Sequence, residues 1–144
     1  MLEIGAKVPA IETIDQNAQK IKSDFKGKSV IYFYPKDDTP GCTKEACSFR
    51  DDAELFQTQG VKVYGVSTDD ATSHKVFANK YSLNFTLLAD PDKKITQAFG
   101  VLNTMGYASR VTFIVQEGIV KHVWPKVNAE GHSKEVLAKL KDLT

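Results

Sequence analysis

Five consecutive apolar residues, Val30-Ile31-Tyr32-Phe33-Tyr34, constrain the fold of this chain more than any other stretch. Large side chains at every position, with no polar alternation, fit a strand covered on both faces. Such a strand belongs in the middle of a sheet with a layer packed on either side. The run breaks at Pro35, passes through Lys36-Asp37-Asp38-Thr39-Pro40-Gly41, and restarts as a helix with Cys42 in its first turn. A thiol there meets the unpaired N–H groups and partial positive charge of a helix N-terminus, surroundings that favour a reactive thiolate. The only other cysteine, Cys47, follows five residues later.

The flanking pattern fills in the layers. Residues 11–14 and 18–21, around the turn cluster Asp15-Gln16-Asn17, predict a short polar hairpin of edge character. One helix is expected from Pro40 to about Gln59, ended by Gly60. Its positions 46, 49, 53 and 56 fall within about 40° of Cys42, so Cys42 lies on the inward stripe and Cys47 about 140° round from it. Strands follow at 61–67 and 85–89, separated by a helix that Ser73 caps and that turns Val76 and Phe77 inward. A brief helix at 95–99, a hairpin of 110–115 with 119–124, and a closing helix at 133–143 complete the chain. This order predicts an α/β protein: a mixed central sheet flanked by helices, with an N-terminal β-hairpin extension. A thioredoxin-like architecture fits it best, as one domain over residues 1–144.

Composition narrows the function. A net charge of +1 gives no electrostatic footprint for nucleic acid or a membrane surface. No apolar run is long enough to span a bilayer, and Met1 to Gly5 lacks the basic and apolar parts of a signal peptide, so an intracellular, cytoplasmic protein is expected. Two cysteines in a reducing compartment point to redox or catalytic chemistry, with a pair of small buried hydrophobes as the ordinary alternative.

Helix geometry limits what the two sulfurs can do. Residues five apart in an ideal helix have Cα atoms about 8.6 Å apart. A disulfide needs less than about 7 Å, so Cys42 and Cys47 can bond only if the first turns unwind. The Cys-x4-Cys spacing fits neither a zinc site nor a dithiol exchange motif, and His74, His122 and His132 are isolated along the chain. Ionisation alone does not make an efficient thiol catalyst. Lowering a thiol pKa from about 8.5 to about 6 raises the thiolate fraction at pH 7 only about thirtyfold. Charge developing on a leaving group also needs preorganised donors and a fixed cation. Arg50 and Arg110 are the only arginines among 19 basic residues, and Arg110 opens an otherwise apolar strand. Thr39 can hydrogen-bond a thiolate or substrate oxygen, and Pro35 can shield the sulfur. Their ordinary alternatives are a helix cap, a strand stop and a strand-end charge.

Pro35, Thr39 and Cys42 fill the motif Pro-x-x-x-Thr/Ser-x-x-Cys, and the string YFYPKDDTPGCTKEAC, with VYGVSTD, SHKVFANKYSLNFTLLADPD and SRVTFIV, resembles the peroxiredoxins. Cys47 matches the hallmark of the bacterioferritin comigratory protein or peroxiredoxin Q subfamily. The resemblance implies thiol-dependent reduction of hydrogen peroxide and organic hydroperoxides. It makes Cys42 the peroxidatic cysteine and Cys47 the resolving one, with an intramolecular disulfide restored by a thioredoxin-like reductant. Thr39, Arg110 and the Cys42 N–H would position the peroxide, Pro35 would limit solvent, and Glu45 would orient Arg110. The resemblance implies no metal or organic cofactor, and a monomer or weak homodimer. A redox sensor using the same two sulfurs is the alternative from another class; a thiol hydrolase lacks a well-placed base.

Overall fold

The computed structural model describes residues 1–143. A hairpin of β1 (Ile11–Ile14) and β2 (Lys20–Ser23) leads into β3 (Lys28–Phe33), α1 (Pro40–Asp51), α2 (Ala53–Thr58) and β4 (Val61–Ser67). Then come α3 (Ala71–Tyr81), β5 (Thr86–Ala89), α4 (Lys94–Ala98), β6 (Val111–Gln116), β7 (Ile119–Trp124) and α5 (His132–Asp142). The five-stranded sheet runs β5-β4-β3-β6-β7, with β4 parallel to β3 and to β5, and β6 antiparallel to both β3 and β7. β1 and β2 pair only with each other. The mixed sheet, flanking helices and separate hairpin are those the sequence predicts.

The apolar run is the middle strand, and its alternation sorts the core into two layers. Val30, Tyr32 and Tyr34 face one way and pack with Cys42, Ala46 and Phe49 of α1, Phe77 of α3, and Val136 and Leu140 of α5. Ile31 and Phe33 face the other way and meet Phe25, Ile95, Phe99 and Phe113. Tyr32 stacks on Phe49 with ring centroids 4.7 Å apart, which presses α1 onto the sheet. Truncating a buried ring such as Phe49 costs about 3–5 kcal/mol, so this face is where α1 gains most of its stability.

Register then sets the active end. Antiparallel pairing of β3 with β6 puts Phe33 opposite Val111. Arg110, one residue before Val111, therefore lies beside the end of β3, where the chain leaves for the loop and α1. Glu117 (φ 51°) and Gly118 (φ 75°) supply the two left-handed residues that a tight β6–β7 turn requires.

Four expectations change. The single helix of 40–59 is two helices, because the chain breaks at Asp52 and uses that carboxylate elsewhere. It accepts from Ser133 Oγ at 2.7 Å and lies 3.4 Å from Lys134 Nζ, at the positive N-terminal end of α5. Asp70, not Ser73, caps α3, accepting from the Ser73 N–H at 2.8 Å. The inward stripe of α3 is His74, Phe77 and Ala78, spaced i, i+3, i+4, which leaves Val76 62% exposed. The return strand of the hairpin starts two residues late, because Asp15 Oδ1 holds the N–H groups of Asn17 and Gln19 in a wider turn.

Candidate active site

Helix α1 begins with Thr39 at the N-cap, in extended conformation, and Pro40 at the first helical position. The first helical hydrogen bond runs from Thr43 N–H to the Thr39 carbonyl at 2.8 Å. The N–H groups of Gly41 and Cys42 thus belong to the unpaired start of the helix. Cys42 is 1% exposed, on the inward stripe as expected, while Cys47 is half-buried. Both are free thiols on one unbroken helix.

Arg110 reaches this turn from the strand end. Its Nη2 donates to Cys42 Sγ at 3.1 Å and its Nη1 donates to Glu45 Oε1 at 2.7 Å. One rigid guanidinium fork therefore spans the sulfur and a carboxylate one helical turn away. The approach is close enough that a Cβ on Gly41 would lie 3.1 Å from Arg110 Nη2. Glu45 is fully buried, and its Oε2 has no hydrogen-bond partner among the described residues. Burial raises its carboxyl to about 7 against the opposing pull of Arg110. Burial works against the charge of Arg110 itself, but Glu45 and Cys42 beside it win and hold it firmly protonated. Burial, with Glu45 and Cys42 adding, also pushes the Tyr32 phenol well up.

The other predicted residues lie on the approach to the helix. Pro35 is half-buried where β3 ends. Thr39 has no side-chain cap bond, and its hydroxyl donates to the Lys36 carbonyl at 2.9 Å. Its hydrogen is therefore committed while its oxygen lone pairs stay available. Two histidines that are isolated in the sequence prove to be tied in. His74 Nδ1 lies 2.7 Å from Asp37 Oδ2 in the loop before α1. His132 bridges Thr112 and Glu135 and meets the Phe49 ring edge-on beneath α1. Trp124 packs edge-on against His122 and His132. The presence of an Asp or a His is all the sequence offers for such pairs, and it does not name the partner.

Chemically, the site offers a sulfur at a helix start with a fixed cation on it and that cation held by a carboxylate. The same donors can take up negative charge developing on an oxygen beside the sulfur.

Residues 4–123 match the AhpC/TSA family. A putative peroxiredoxin Bcp from Coxiella burnetii is 44% identical, with 96% of this chain and 99% of the relative covered. Among solved structures, the peroxidoxin BcpB of Mycobacterium tuberculosis superposes with a TM-score of 0.92 at 30% identity, covering 100% of this chain and 99% of that one. The bacterioferritin comigratory protein of Xanthomonas campestris, described for its alkyl peroxide reduction activity, superposes with a TM-score of 0.86 at 34% identity. That match covers 92% of this chain and 90% of the other.

Proposed function

This chain belongs to the AhpC/TSA family and is a thioredoxin-fold peroxiredoxin of the Bcp and peroxiredoxin Q kind, a thiol-dependent peroxidase, and within that chemistry we propose that Cys42 is the peroxidatic cysteine. The observation that carries this reading is the Arg110 guanidinium donating to the buried Cys42 sulfur at the first turn of α1. The substrates are hydrogen peroxide and organic hydroperoxides. The Cys42 thiolate attacks one oxygen of the O–O bond. Sulfur gains that hydroxyl as sulfenic acid, and the other oxygen leaves as hydroxide or alkoxide and takes a proton. Arg110 and the Cys42 N–H stabilise the charge moving onto the oxygens. Thr39, its hydrogen already given to Lys36, accepts from the peroxide O–H, and Pro35 limits water at the sulfur.

Cys47 is the resolving cysteine. Its thiolate attacks the sulfenic sulfur, the S–S bond forms, and water leaves after protonation. Helical spacing forbids that bond while α1 is intact, so residues 42–48 unwind first. A thioredoxin-like dithiol then reduces the disulfide, which places the cycle in a reducing compartment such as the cytoplasm. The domain of residues 1–144 completes the cycle within one monomer, since both sulfurs lie on one helix.

Peroxide consumption coupled to thioredoxin, thioredoxin reductase and NADPH tests the reading. Wild type should turn over, and Cys42→Ser should be inactive. Cys47→Ser should react once with peroxide and then stall or over-oxidise. Full turnover by Cys42→Ser would reject the assignment.

A further inference from the structure

The loop from Pro35 to Thr39 carries half of the proposed machinery, yet its middle is anchored like a core residue. Asp37 is only 7% exposed. Its Oδ1 accepts from Tyr34 Oη at 2.6 Å, and its Oδ2 accepts from Ser73 Oγ at 2.8 Å and faces His74 Nδ1 at 2.7 Å. Its main-chain N–H donates to Asp69 Oδ2 at 2.9 Å, and that oxygen also accepts from Ser67 Oγ at 2.6 Å. The next residue, Asp38, adopts φ 57° and takes Lys80 Nζ and Tyr81 Oη, each at 2.7 Å. Every one of these partners except Tyr34 lies on α3, at the end of β4, or in the short loop that joins them.

His74 is the buried member of this set, with no exposed surface. Its Nε2 faces the Leu88 carbonyl at 2.9 Å. A carbonyl oxygen only accepts, so Nε2 carries a hydrogen, and a further proton is shared along the Nδ1–Oδ2 contact with Asp37. A buried polar pair of this kind is weak evidence for added stability, since apolar packing could replace it. What it specifies is place: the ring is fixed between β5 and α3, and Asp37 is fixed to the ring. The Thr39 hydroxyl donates to the carbonyl of Lys36, the residue peptide-bonded to Asp37. The position of Thr39 is thereby inherited from the anchor.

We propose that His74 is a positioning residue for the peroxide reaction: through Asp37 it fixes the loop that sets Pro35 and Thr39 at the entrance to Cys42. The proposal rests on Cys42 being the reacting thiol. Displacing a reacting group by about 1 Å can slow a step on the order of a hundredfold, so loosening the loop slows oxidation of Cys42. Resolution by Cys47 comes after that step and does not use the loop.

Rapid-quench mass spectrometry in single turnover separates the two steps, giving the second-order rate of Cys42 oxidation by hydrogen peroxide and the first-order rate of disulfide formation. His74→Gln should slow oxidation about tenfold or more and leave disulfide formation within about twofold. Asp37→Asn should lose only about threefold, because its amide can donate to a neutral His74 and its carbonyl can still accept from Tyr34. Oxidation of His74→Gln at the wild-type rate, or parallel slowing of both steps, overturns the proposal. Where His74→Gln fails to fold, Tyr34→Phe carries the test. It strips one donor from Asp37 and keeps the ring, and should slow oxidation alone about threefold; unchanged oxidation overturns the proposal. Cys42→Ser keeps the two failures apart: wild-type peroxide consumption by that variant rejects Cys42 as the reacting thiol and the proposal with it, whereas an inactive Cys42→Ser beside a His74→Gln that oxidises at the wild-type rate rejects the loop anchor alone.

Discussion

The loop before α1 and the first half of α1 adjoin in sequence, yet they are held by opposite means. The loop is fixed by long-range polar contacts, from Asp37 to His74, Ser73 and Asp69 and from Asp38 to Lys80 and Tyr81. Residues 42–48 are held by one apolar stripe and the bridge from Arg110 to Cys42 and Glu45. Their outer side, with Thr43, Lys44, Cys47 and Ser48, is half-buried or exposed, and among the described residues Ser48 Oγ bonds only within the helix, to the Glu45 carbonyl. Beyond Phe49 the ties resume. Arg50 Nη1 donates to the Tyr81 carbonyl at 2.7 Å, and Asp52 accepts from Ser133. A segment able to unwind is thus bracketed by two anchored ends. In the proposed cycle the rigid part would hold Pro35 and Thr39 for the substrate, and the part between would supply the sulfur movement.

The largest effect is expected from cutting the polar bridge that holds residues 42–48. Arg110→Gln removes the charge from the sulfur and should lower kcat/KM for hydrogen peroxide by roughly a hundredfold to a thousandfold, with the fold retained. A drop of less than about threefold would mean that the helix start alone activates the thiol.

Next comes Glu45, whose carboxyl is ordinarily near 4.5 and is raised to about 7 by burial in the folded protein. Between those values the folded state binds more protons than the unfolded one. Its contribution to stability is therefore fully present below about pH 4.5 and is lost as pH rises through about 7, a change of roughly 3 kcal/mol. Urea unfolding at pH 5 and pH 8 should show this loss in wild type and little of it in Glu45→Gln. Equal pH dependence in the two proteins would assign the effect to another group.

How far the sequence reveals this division depends on the range of the contacts involved. The apolar run at 30–34 and the stripe of Cys42, Ala46, Phe49 and Phe56 follow from local periodicity, and all of these residues are buried. The motif places Pro35, Thr39 and Cys42, and the register of β3 with β6 explains why Arg110 arrives there. The break at Asp52 is not legible, because its partner Ser133 lies 81 residues away in sequence. The anchor is hidden for the same reason: Asp37 and His74 are 37 residues apart, and an isolated histidine says nothing of what it will face. Val76 reads as core by composition and points to solvent, because the helix phase is set by His74, Phe77 and Ala78.

Smaller effects should come from the bracket and from the approach of Arg110. Arg50→Gln unties the far end of α1. It should cost about 1 kcal/mol or slightly more in urea unfolding and speed disulfide formation a few-fold by letting unwinding spread. Slower disulfide formation would mean that the far anchor promotes resolution instead of limiting it. Gly41→Ala puts a Cβ about 3.1 Å from Arg110 Nη2, so the guanidinium must give by a few tenths of an ångström. A several-fold loss of kcat/KM with unchanged stability is expected. A fully active Gly41→Ala would show that the guanidinium tolerates displacement.

Hydrogen exchange tests the bracketed unwinding most directly. Amide protection is to be compared between the reduced protein and a sample in which mass spectrometry has verified the Cys42–Cys47 bond. Protection should fall across residues 42–48 on oxidation and persist at Asp37, whose N–H donates to Asp69, and in α3. Unchanged protection across 42–48 in the verified disulfide form would contradict the account.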